Sequence, residues 1–293
     1  MSKNLPEFNS IAIAVHPKNQ QAYSLAEEIG AALISQGKAV LLGRMDEDEL
    51  RAGILNGKQD LLIALGGDGT MLRAGILSAP PQVPILGINL GRYGFLTEIQ
   101  KERWPEALER VLAGDFRLEK RMMVESVLFR DDKEIGRWTA LNDAVITRGE
   151  VVRPIQLEIF INDRHLNGIV ADALIISTAT GSTAYAMAAG GPILSPELRN
   201  IIIVPVAPFL SVEQTLVLDE SVQIAVNVFT SHEAVISIDG QPGIPLKNAD
   251  RVELHASQDV VHFIRFQDPG YFYRNLIPYM DQNPAIKKTN DRN

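Results

Sequence analysis

The segment Asp60–Leu72 carries the residues whose types and spacing best suit phosphate chemistry. An apolar run, Leu61–Leu65, leads into Gly66-Gly67-Asp68-Gly69-Thr70 and then into a helix-like pattern. In parallel α/β sheets, ligands bind beyond the carboxyl ends of the strands. Glycines let the backbone approach a phosphate closely, and free amides at the start of a helix favour an anion. The segment therefore indicates a phosphate loop, in which Thr70 either caps the helix or binds a phosphate oxygen.

The alternative for this segment is a tight strand-to-helix turn in which Asp68 only caps the helix. The doubled glycine and the preceding strand favour the phosphate loop. A Walker loop is excluded, because Gly53–Lys58 has the wrong spacing and no Ser or Thr follows the lysine. Gly87–Gly94 likewise does not match the dinucleotide-binding glycine fingerprint.

A second glycine-rich segment, Asn89–Glu98, follows the strand-like run Val83–Ile88. It therefore occupies a second carboxyl edge, and two such edges side by side form a crevice. Phe95 within it is either a core aromatic residue or a platform on which a base stacks.

The segment Asp172–Pro192 is the third candidate. An apolar strand leads into the hydroxyl-rich run Thr180–Tyr185 and then into a short helix closed by Gly190-Gly191-Pro192. A helix start surrounded by hydroxyls suits a ligand, and ordinary capping is the alternative. Ser182 is not expected to be an acyl-transfer nucleophile, because no G-x-S-x-G elbow surrounds it.

Asn142 and Asp143 lie between strand-like stretches and place an amide beside a carboxylate. Such a pair can chelate vicinal hydroxyls, and a hairpin turn is the alternative. The five histidines show no H-x₃-H spacing, so we do not expect a histidine metal site.

The composition excludes several classes of function. The chain has 293 residues and no cysteine, which rules out disulfides, a cysteine nucleophile, thiolate-bound zinc and iron–sulfur clusters. The net charge of −8 repels a polyanion, so nucleic acid is not an expected partner. The most apolar stretch, Ile201–Leu210, is interrupted by two prolines and is far shorter than the about 20 residues that span a bilayer. The first ten residues lack the pattern of a signal peptide, so we expect a cytoplasmic protein without membrane contact.

The elements that position these motifs fall into two classes. Before about residue 114, continuous apolar runs alternate with helical spacings, which predicts a parallel sheet covered by helices on both faces. The predicted strands are Ile11–Val15, Ala39–Leu42, Leu61–Leu65 and Val83–Ile88, and the predicted helices include residues 25–33 and Trp104–Leu112.

After Gly114 apolar residues alternate with polar ones, which predicts antiparallel sheets. Asn162-Asp163, Asn167-Gly168 and Asp239-Gly240 are turn signals between these runs. The segment Tyr271–Met280 is aromatic and apolar, so it must dock on the rest of the protein.

Four motifs occur in order: Gly66–Thr70, Asn89–Thr97, Asn142-Asp143, and Thr180–Tyr185 with Gly190–Pro192. Together they resemble the NAD kinases, and the resemblance runs from about Ile11 to about Arg274. Gly-Gly-Asp-Gly alone is shared with lipid kinases and phosphofructokinases, whereas Thr180–Tyr185 is the specific segment.

The resemblance implies phosphorylation of the adenosine ribose 2′-hydroxyl of NAD to give NADP, with ATP or polyphosphate as donor. It also implies a donor-bound divalent ion such as Mg²⁺, and a homo-oligomer, a dimer or a tetramer. The implied fold is an α/β donor-binding domain (1–117 plus 266–293) and a β-rich NAD-binding domain (118–265), with the C-terminal segment returning to the first domain.

The resemblance also assigns site residues by position. Asp68 matches the catalytic aspartate, which would accept the hydroxyl proton as general base. The phosphate loop corresponds to Gly66, Gly67, Gly69 and Thr70, with Arg73 as a nearby cation. The residues assigned to NAD are Phe95, Asn142, Asp143, Arg153, Asp172, Thr183, Ala184, Tyr185, Ala188 and Gln241. No protein metal ligand is assigned.

Three positions depart from the family pattern. Asn142-Asp143 replaces Asn-Glu, so the carboxylate is one methylene shorter and would act through water. Asp172-Ala173 replaces Asp-Gly, and Ala179 replaces the proline of Ser-Thr-Pro-Thr. Neither of the last two changes removes a reactive group. The competing interpretations are a lipid or sugar kinase that uses the same loop, and a dinucleotide-binding module without catalysis.

Overall fold

The computed structural model describes residues 7–17, 20–91, 94–209 and 214–281. Residues 1–6, on which the expectation of no signal peptide largely depends, and the polar end from residue 282 lie outside the described residues. Within the described ranges, no helix is long and apolar enough to cross a bilayer.

The strands are β1 (Ser10–Val15), β2 (Ala39–Arg44), β3 (Leu61–Leu65), β4 (Ile85–Asn89), β5 (Ile99–Gln100), β6 (Arg117–Arg130), β7 (Lys133–Ala140), β8 (Asp143–Arg148), β9 (Ile155–Ile161), β10 (Arg164–Ala171), β11 (Ala173–Thr178), β12 (Asn200–Val206), β13 (Leu216–Asp219), β14 (Ile224–Phe229), β15 (Ala234–Ile238), β16 (Ile244–Leu246) and β17 (Arg251–Arg265). The α-helices are α1 (Gln20–Ser35), α2 (Asp48–Leu55), α3 (Asp68–Ser78), α4 (Trp104–Leu112), α5 (Tyr185–Ala188) and α6 (Tyr271–Asp281). Short 3-10 helices form at Lys101–Arg103 and Thr180–Thr183.

The chain divides into two compact units. The first unit comprises Met1–Glu119 and Val261–Asn293, and the second comprises Lys120–Val260. The assignment of the phosphate donor to one domain and of NAD to the other stays a prediction.

The first unit contains a parallel sheet in the order β4-β3-β1-β2, with β5 also paired to β4. Every residue of β3 and β4 is buried, as expected for strands covered on both faces. Phe263, near the end of β17, pairs with Ile85 of β4. These pairings confirm the predicted α/β fold, and the grouping of Val261–Asn293 with the first unit confirms that the C-terminal segment returns to it.

The second unit contains antiparallel sheets. One carries the order β10-β9-β14-β17, with the β6–β7 hairpin joined through β17, and the other has the order β13-β12-β11-β8-β15-β16. Apolar side chains from alternate positions of both sheets pack into one core, which includes Ile146, Leu157, Ile176 and Val226. The predicted all-β, two-sheet organisation is therefore confirmed.

One predicted turn is wrong. Asn167-Gly168 lies inside β10, where the register with β9 shifts between His165 and Asn167. The chain reverses earlier, at Asn162 and Asp163, whose φ angles of 49° and 60° already close the hairpin. Asn167-Gly168 therefore coincides with an irregularity within the strand and not with a turn.

Candidate active site

The glycine-rich loop of the first unit joins β3 to α3. A Cβ atom on Gly66 would overlap the hydroxyl of Thr70, so this position requires glycine. Gly67 and Gly69 are exposed, and a Cβ on either would meet nothing within 4 Å. The loop therefore combines one sterically constrained glycine with two positions whose backbone is open to a ligand.

The side chain of Asp68 bridges this loop to the loop that follows β4. Its Oδ2 accepts a hydrogen bond from the Phe95 N–H at 2.9 Å, and its Oδ1 accepts one from the Leu96 N–H at 3.1 Å. Gly67 is the N-cap residue of α3, and no side chain caps that helix. The interpretation of Asp68 as a simple helix cap is therefore wrong. Because a carboxylate offers about four lone-pair sites, each oxygen keeps acceptor capacity for a further partner.

Thr70 and Arg73 lie in the first turns of α3. The Thr70 N–H donates to the Gly67 carbonyl at 2.9 Å, and its side chain is buried below the loop. Thr70 does not cap the helix, contrary to one of the two roles considered above. Arg73 is exposed one turn further on.

The second glycine-rich segment leaves β4 at Asn89. The buried Asn89 Oδ1 accepts the Gly91 N–H at 2.9 Å, which shapes the start of this loop. Residues 92 and 93 lie outside the described ranges. Phe95 is half-buried, so both roles considered for its ring, core packing and stacking on a base, stay open.

Asn142 lies between β7 and β8 in the second unit, but these strands do not form a hairpin. β7 pairs with β6, whereas β8 pairs with β11 and β15. The hairpin interpretation of Asn142-Asp143 is therefore wrong.

Asp239 anchors the backbone around Asn142. Its carboxylate accepts the N–H groups of Leu141 at 2.8 Å, Asn142 at 2.7 Å and Asp143 at 3.1 Å. In the sequence, Asp239 is recognisable only as part of a turn signal. Its partners are 96 to 98 positions away, so no local spacing marks this role.

Two buried carboxyl groups lie close together here. Burial, followed by the charge of Asp239, raises the pKa of Asp143 to about 7. Burial also raises the pKa of Asp239, although its three backbone N–H donors act in the opposite direction. Near neutral pH, the protonated and the ionised forms of the Asp143 side chain are therefore both populated, whereas a surface aspartate would be ionised.

The end of β11 packs directly against Asn142. Ser177 Oγ donates to the Asn142 carbonyl at 3.1 Å, and Thr178 Oγ1 donates to the Leu141 carbonyl at 2.5 Å. A Cβ on Gly181 would overlap the Asn142 carbonyl. The hydroxyl-rich segment and the Asn142 segment are therefore hydrogen-bonded to each other and closely packed.

Several hydroxyls of this segment have local partners. Ser182 Oγ donates to the Ala179 carbonyl at 2.7 Å and accepts the Leu194 N–H at 3.0 Å, while Thr183 Oγ1 donates to the Thr180 carbonyl at 3.4 Å. The buried Arg121 donates to Thr180 Oγ1 at 3.3 Å.

The following turn and α5 present a mixed surface. Ala184 is half-buried in the turn, Tyr185 and Ala188 are exposed, and Ala186 is buried. Ala184, Tyr185 and Ala188 are therefore accessible at the surface of the second unit.

Three other residues assigned to NAD lie at different places in the second unit. The register pairs Ser177 with Asp143, which puts Asp172 at the opposite end of β11, about 17 Å away along the strand. Asp172 forms an ion pair with Arg148 at 3.1 Å.

Arg153 lies near that same far end, where its carbonyl is 2.9 Å from His232 Nε2. Gln241 is exposed and follows Asp239 at the Asn142 end. Within the second unit, Gln241 therefore lies near the Asn142 segment, whereas Asp172 and Arg153 lie at the far end of β11.

A divalent ion has no protein cage in the described part of the chain. No three His, Asp or Glu side chains converge there. An ion that arrives bound to a phosphate substrate needs no such cage, because Mg²⁺ is usually held by one or two carboxylates together with substrate phosphates and water.

Comparison with known proteins identifies the family. The model of the ATP-NAD kinase N-terminal domain matches residues 46–116, and that of the ATP-NAD kinase C-terminal domain matches residues 141–266. An NAD kinase of Heliobacterium modesticaldum is 42% identical over 214 residues, which are 73% of this chain and 76% of that protein. An NAD kinase of Dehalococcoides mccartyi is 37% identical over 92% of this chain and 95% of its own length.

Solved structures share the fold. A crystal structure of yeast NADH kinase complexed with NADH superposes with a TM-score of 0.83 at 23% identity, covering 98% of this chain and 91% of that one. A crystal structure of an NAD kinase from Archaeoglobus fulgidus in complex with ATP has a TM-score of 0.73 at 26% identity, covering 92% and 98%. The two matched domains and the relatives aligned over most of their length establish that this chain belongs to the NAD kinase family and is a phosphotransferase.

Proposed function

We propose that the chain transfers the terminal phosphoryl group of ATP to the adenosine ribose 2′-hydroxyl of NAD, with Asp68 as the general base. The observation that carries this proposal is the bridging position of Asp68. Its carboxylate lies beside the exposed backbone of Gly67 and Gly69, and two backbone N–H groups fix its orientation. Phosphoryl transfer has a loose transition state, so positioning of the reacting groups is the main requirement.

In the proposed step, a bond forms between the ribose 2′-oxygen and the γ-phosphorus while the bond from γ-phosphorus to the ADP oxygen breaks. The hydroxyl proton passes to Asp68. A carboxylate is too weak a base to remove this proton beforehand, so the transfer occurs late, as the new bond makes the hydroxyl acidic.

We assign the donor phosphates to the loop of the first unit. The open backbone at Gly67 and Gly69 suits an anion, Gly66 and Thr70 shape the loop beneath it, and Arg73 supplies a cation one turn along α3. The Archaeoglobus relative, solved in complex with ATP, supports ATP as the donor. A divalent ion such as Mg²⁺ would be held by the donor phosphates and water, and would neutralise phosphate charge.

We assign the ribose hydroxyls of NAD to Asn142 and Asp143, whose backbone Asp239 holds in place. The turn and short helix that include Thr183, Ala184, Tyr185 and Ala188 would cover the dinucleotide. Phe95, Arg153, Asp172 and Gln241 are assigned to NAD through the family resemblance alone.

The decisive experiment is the Asp68→Asn variant, assayed for NADP formed from NAD, ATP and Mg²⁺. We expect kcat to fall by about 10² to 10⁴, the usual contribution of a general base, with little change in the KM for NAD. A kcat within a few-fold of the wild type would remove Asp68 from the chemistry. Parallel incubations with polyphosphate and with NADH test the donor and the acceptor.

Asp60→Asn is the matched control, because Asp60 also accepts two backbone N–H groups in the first unit. Its Oδ2 lies 2.9 Å from the nitrogens of both Asn9 and Ser10, at the opposite end of β3 from Asp68. This variant should lose stability but keep its kcat.

We also propose that the protein is a cytoplasmic homo-oligomer, a dimer or a tetramer. Size-exclusion chromatography with light scattering would give the subunit number directly. A monomer at the protein concentrations of the assay would contradict the oligomer.

A further inference from the structure

Leu96, one of the two residues whose N–H binds Asp68, is also held through its carbonyl. Arg265 Nη1 donates to the Leu96 oxygen at 2.9 Å, across 169 positions of sequence. The N–H of Leu96 thus meets the Asp68 carboxylate, while its C=O meets a guanidinium. One residue therefore connects Asp68 to the C-terminal end of β17.

The guanidinium of Arg265 is itself fixed. It is 5% exposed, and its Nε donates to Glu119 Oε1 at 3.0 Å, where Glu119 is equally buried. The guanidinium carbon lies 4.8 Å from the centre of the Phe263 ring. A planar guanidinium can bind a carbonyl and a carboxylate at once in this way, whereas a lysine ammonium cannot reproduce the geometry.

A second contact holds the same loop two residues further on. Glu98 Oε1 accepts the N–H groups of Phe266 at 3.1 Å and Gln267 at 2.8 Å. Burial raises the pKa of this carboxyl group, while the charge of Arg265 and these two donors favour its ionised form. Arg265, Phe266 and Gln267 therefore all form hydrogen bonds with the loop that follows β4.

We propose that Arg265 is a positioning residue for phosphoryl transfer, acting through the Leu96 backbone to aim the carboxylate of Asp68. The proposal rests on the role proposed above for Asp68. Removing the bond to Leu96 lets the loop shift, and a displacement of about 1 Å at a reacting group can cost about 10²-fold in rate.

The alternative is that Arg265 only stabilises the first unit through its buried pair with Glu119. Loss of one partner of such a pair leaves an uncompensated charge and lowers stability. A structural role would thus lower the melting temperature of a variant, but it would act independently of Asp68. This difference makes the two roles separable.

The test is a double-mutant cycle of Arg265→Lys and Asp68→Asn, measured as kcat and KM for NADP formation. Circular dichroism identifies an assay temperature at which all variants are folded. We expect Arg265→Lys alone to lower kcat by about 10- to 100-fold, with the KM values for NAD and ATP within about twofold. In the Asp68→Asn background, Arg265→Lys should lower kcat no further.

The outcomes separate the two proposals. Suppose that Asp68→Asn lowers kcat, and that Arg265→Lys lowers kcat by the same factor in the wild-type and in the Asp68→Asn background. Arg265 then does not act through Asp68, although the result still supports Asp68 as the general base. An Arg265→Lys enzyme with nearly normal kcat would also overturn the positioning role. If Asp68→Asn itself retains activity, the proposed base fails instead.

Arg130→Lys is the control, because Arg130, although more exposed than Arg265, also pairs with a buried carboxylate, that of Asp250 in the second unit, at 2.8 and 2.7 Å. The Arg130→Lys variant should have a lower melting temperature and an unchanged kcat. Should Arg265→Lys fail to fold, the cycle is run with Arg265→Gln in a Glu119→Gln background. The second substitution removes the Glu119 carboxylate that Arg265→Gln alone would leave without this partner, and the same lack of a second effect on Asp68→Asn is expected.

Discussion

The backbone of Gly94 lies directly against the carboxylate of Asp68. A Cβ atom at position 94 would overlap Oδ1 of Asp68 and would come within 2.8 Å of Oδ2. Glycine is therefore required here by the close approach of a side chain from the neighbouring loop. The second glycine-rich segment thus serves the placement of Asp68 as well as its own turn.

Gly94→Ala should consequently displace the Asp68 carboxylate and lower kcat. We expect a loss of at least about tenfold, because the added methyl group forces a shift at the proposed base. Gly91→Ala is the control in the same segment, since a Cβ there would meet nothing within 4 Å. Steady-state NADP formation by both variants checks this prediction, and equal kcat values for the two would contradict it.

Asp239→Ala should weaken NAD binding together with stability. The substitution leaves the N–H groups of Leu141, Asn142 and Asp143 without their acceptor, and each buried unsatisfied donor costs about 1–3 kcal/mol. Calorimetric titration with NAD and thermal unfolding measure the two effects. Asp163→Asn, in an exposed hairpin turn, is the control and should change neither, because asparagine tolerates the positive φ of this position. Unchanged NAD affinity in a destabilised Asp239→Ala protein would exclude the Asn142 segment from the site.

Asp143→Asn should raise the melting temperature at pH 8 more than at pH 5. The folded-state pKa of Asp143 is about 7, above the ordinary 3.8, so the folded protein retains a proton that the unfolded chain releases. The stability linked to this proton is fully present below pH 3.8 and is lost as pH rises towards 7. A neutral asparagine removes that loss. Melting curves at both pH values test this, and an equal change at each would show that Asp143 does not titrate as described.

The main strands could be predicted from the sequence because each is a continuous or alternating apolar run. The apolar run predicts β3 with its observed limits, and the predicted limits of β4 differ from the observed ones by one or two residues. The sequence does not predict α2, because this short and highly charged helix buries only Leu50 and Ile54. The positions of the four motifs were likewise readable, since each is defined by local residue types.

The contacts that orient those motifs could not be predicted. The local sequence around Asp68 is the same whether this residue caps α3 or bridges two loops. Only its hydrogen bonds to Phe95 and Leu96, 27 and 28 positions away, distinguish the two roles. Asp239 and Arg265 act across 96 to 98 and 169 positions. A single sequence carries no signal for such pairs, because their proximity is produced by the strand order of the fold.

Ala184→Leu tests whether the turn before α5 covers bound NAD. Ala184 is half-buried in that turn, so a leucine there need not enter the core, and the folded protein should keep a melting temperature near that of the wild type. If the turn lines the dinucleotide, the larger side chain should block NAD binding. Calorimetry and thermal unfolding on the same preparation measure both properties.

Ala186→Leu is the matched control two residues along. Ala186 is fully buried against Ile175 and Val204, so overpacking should cost about 1–3 kcal/mol of folding stability. The two substitutions add the same atoms at neighbouring positions, and we expect opposite patterns: lost affinity with stability retained at 184, and lost stability at 186. An Ala184→Leu protein that binds NAD normally would show that this turn lies away from the dinucleotide, and would withdraw Thr183, Ala184 and Tyr185 from the proposed site together.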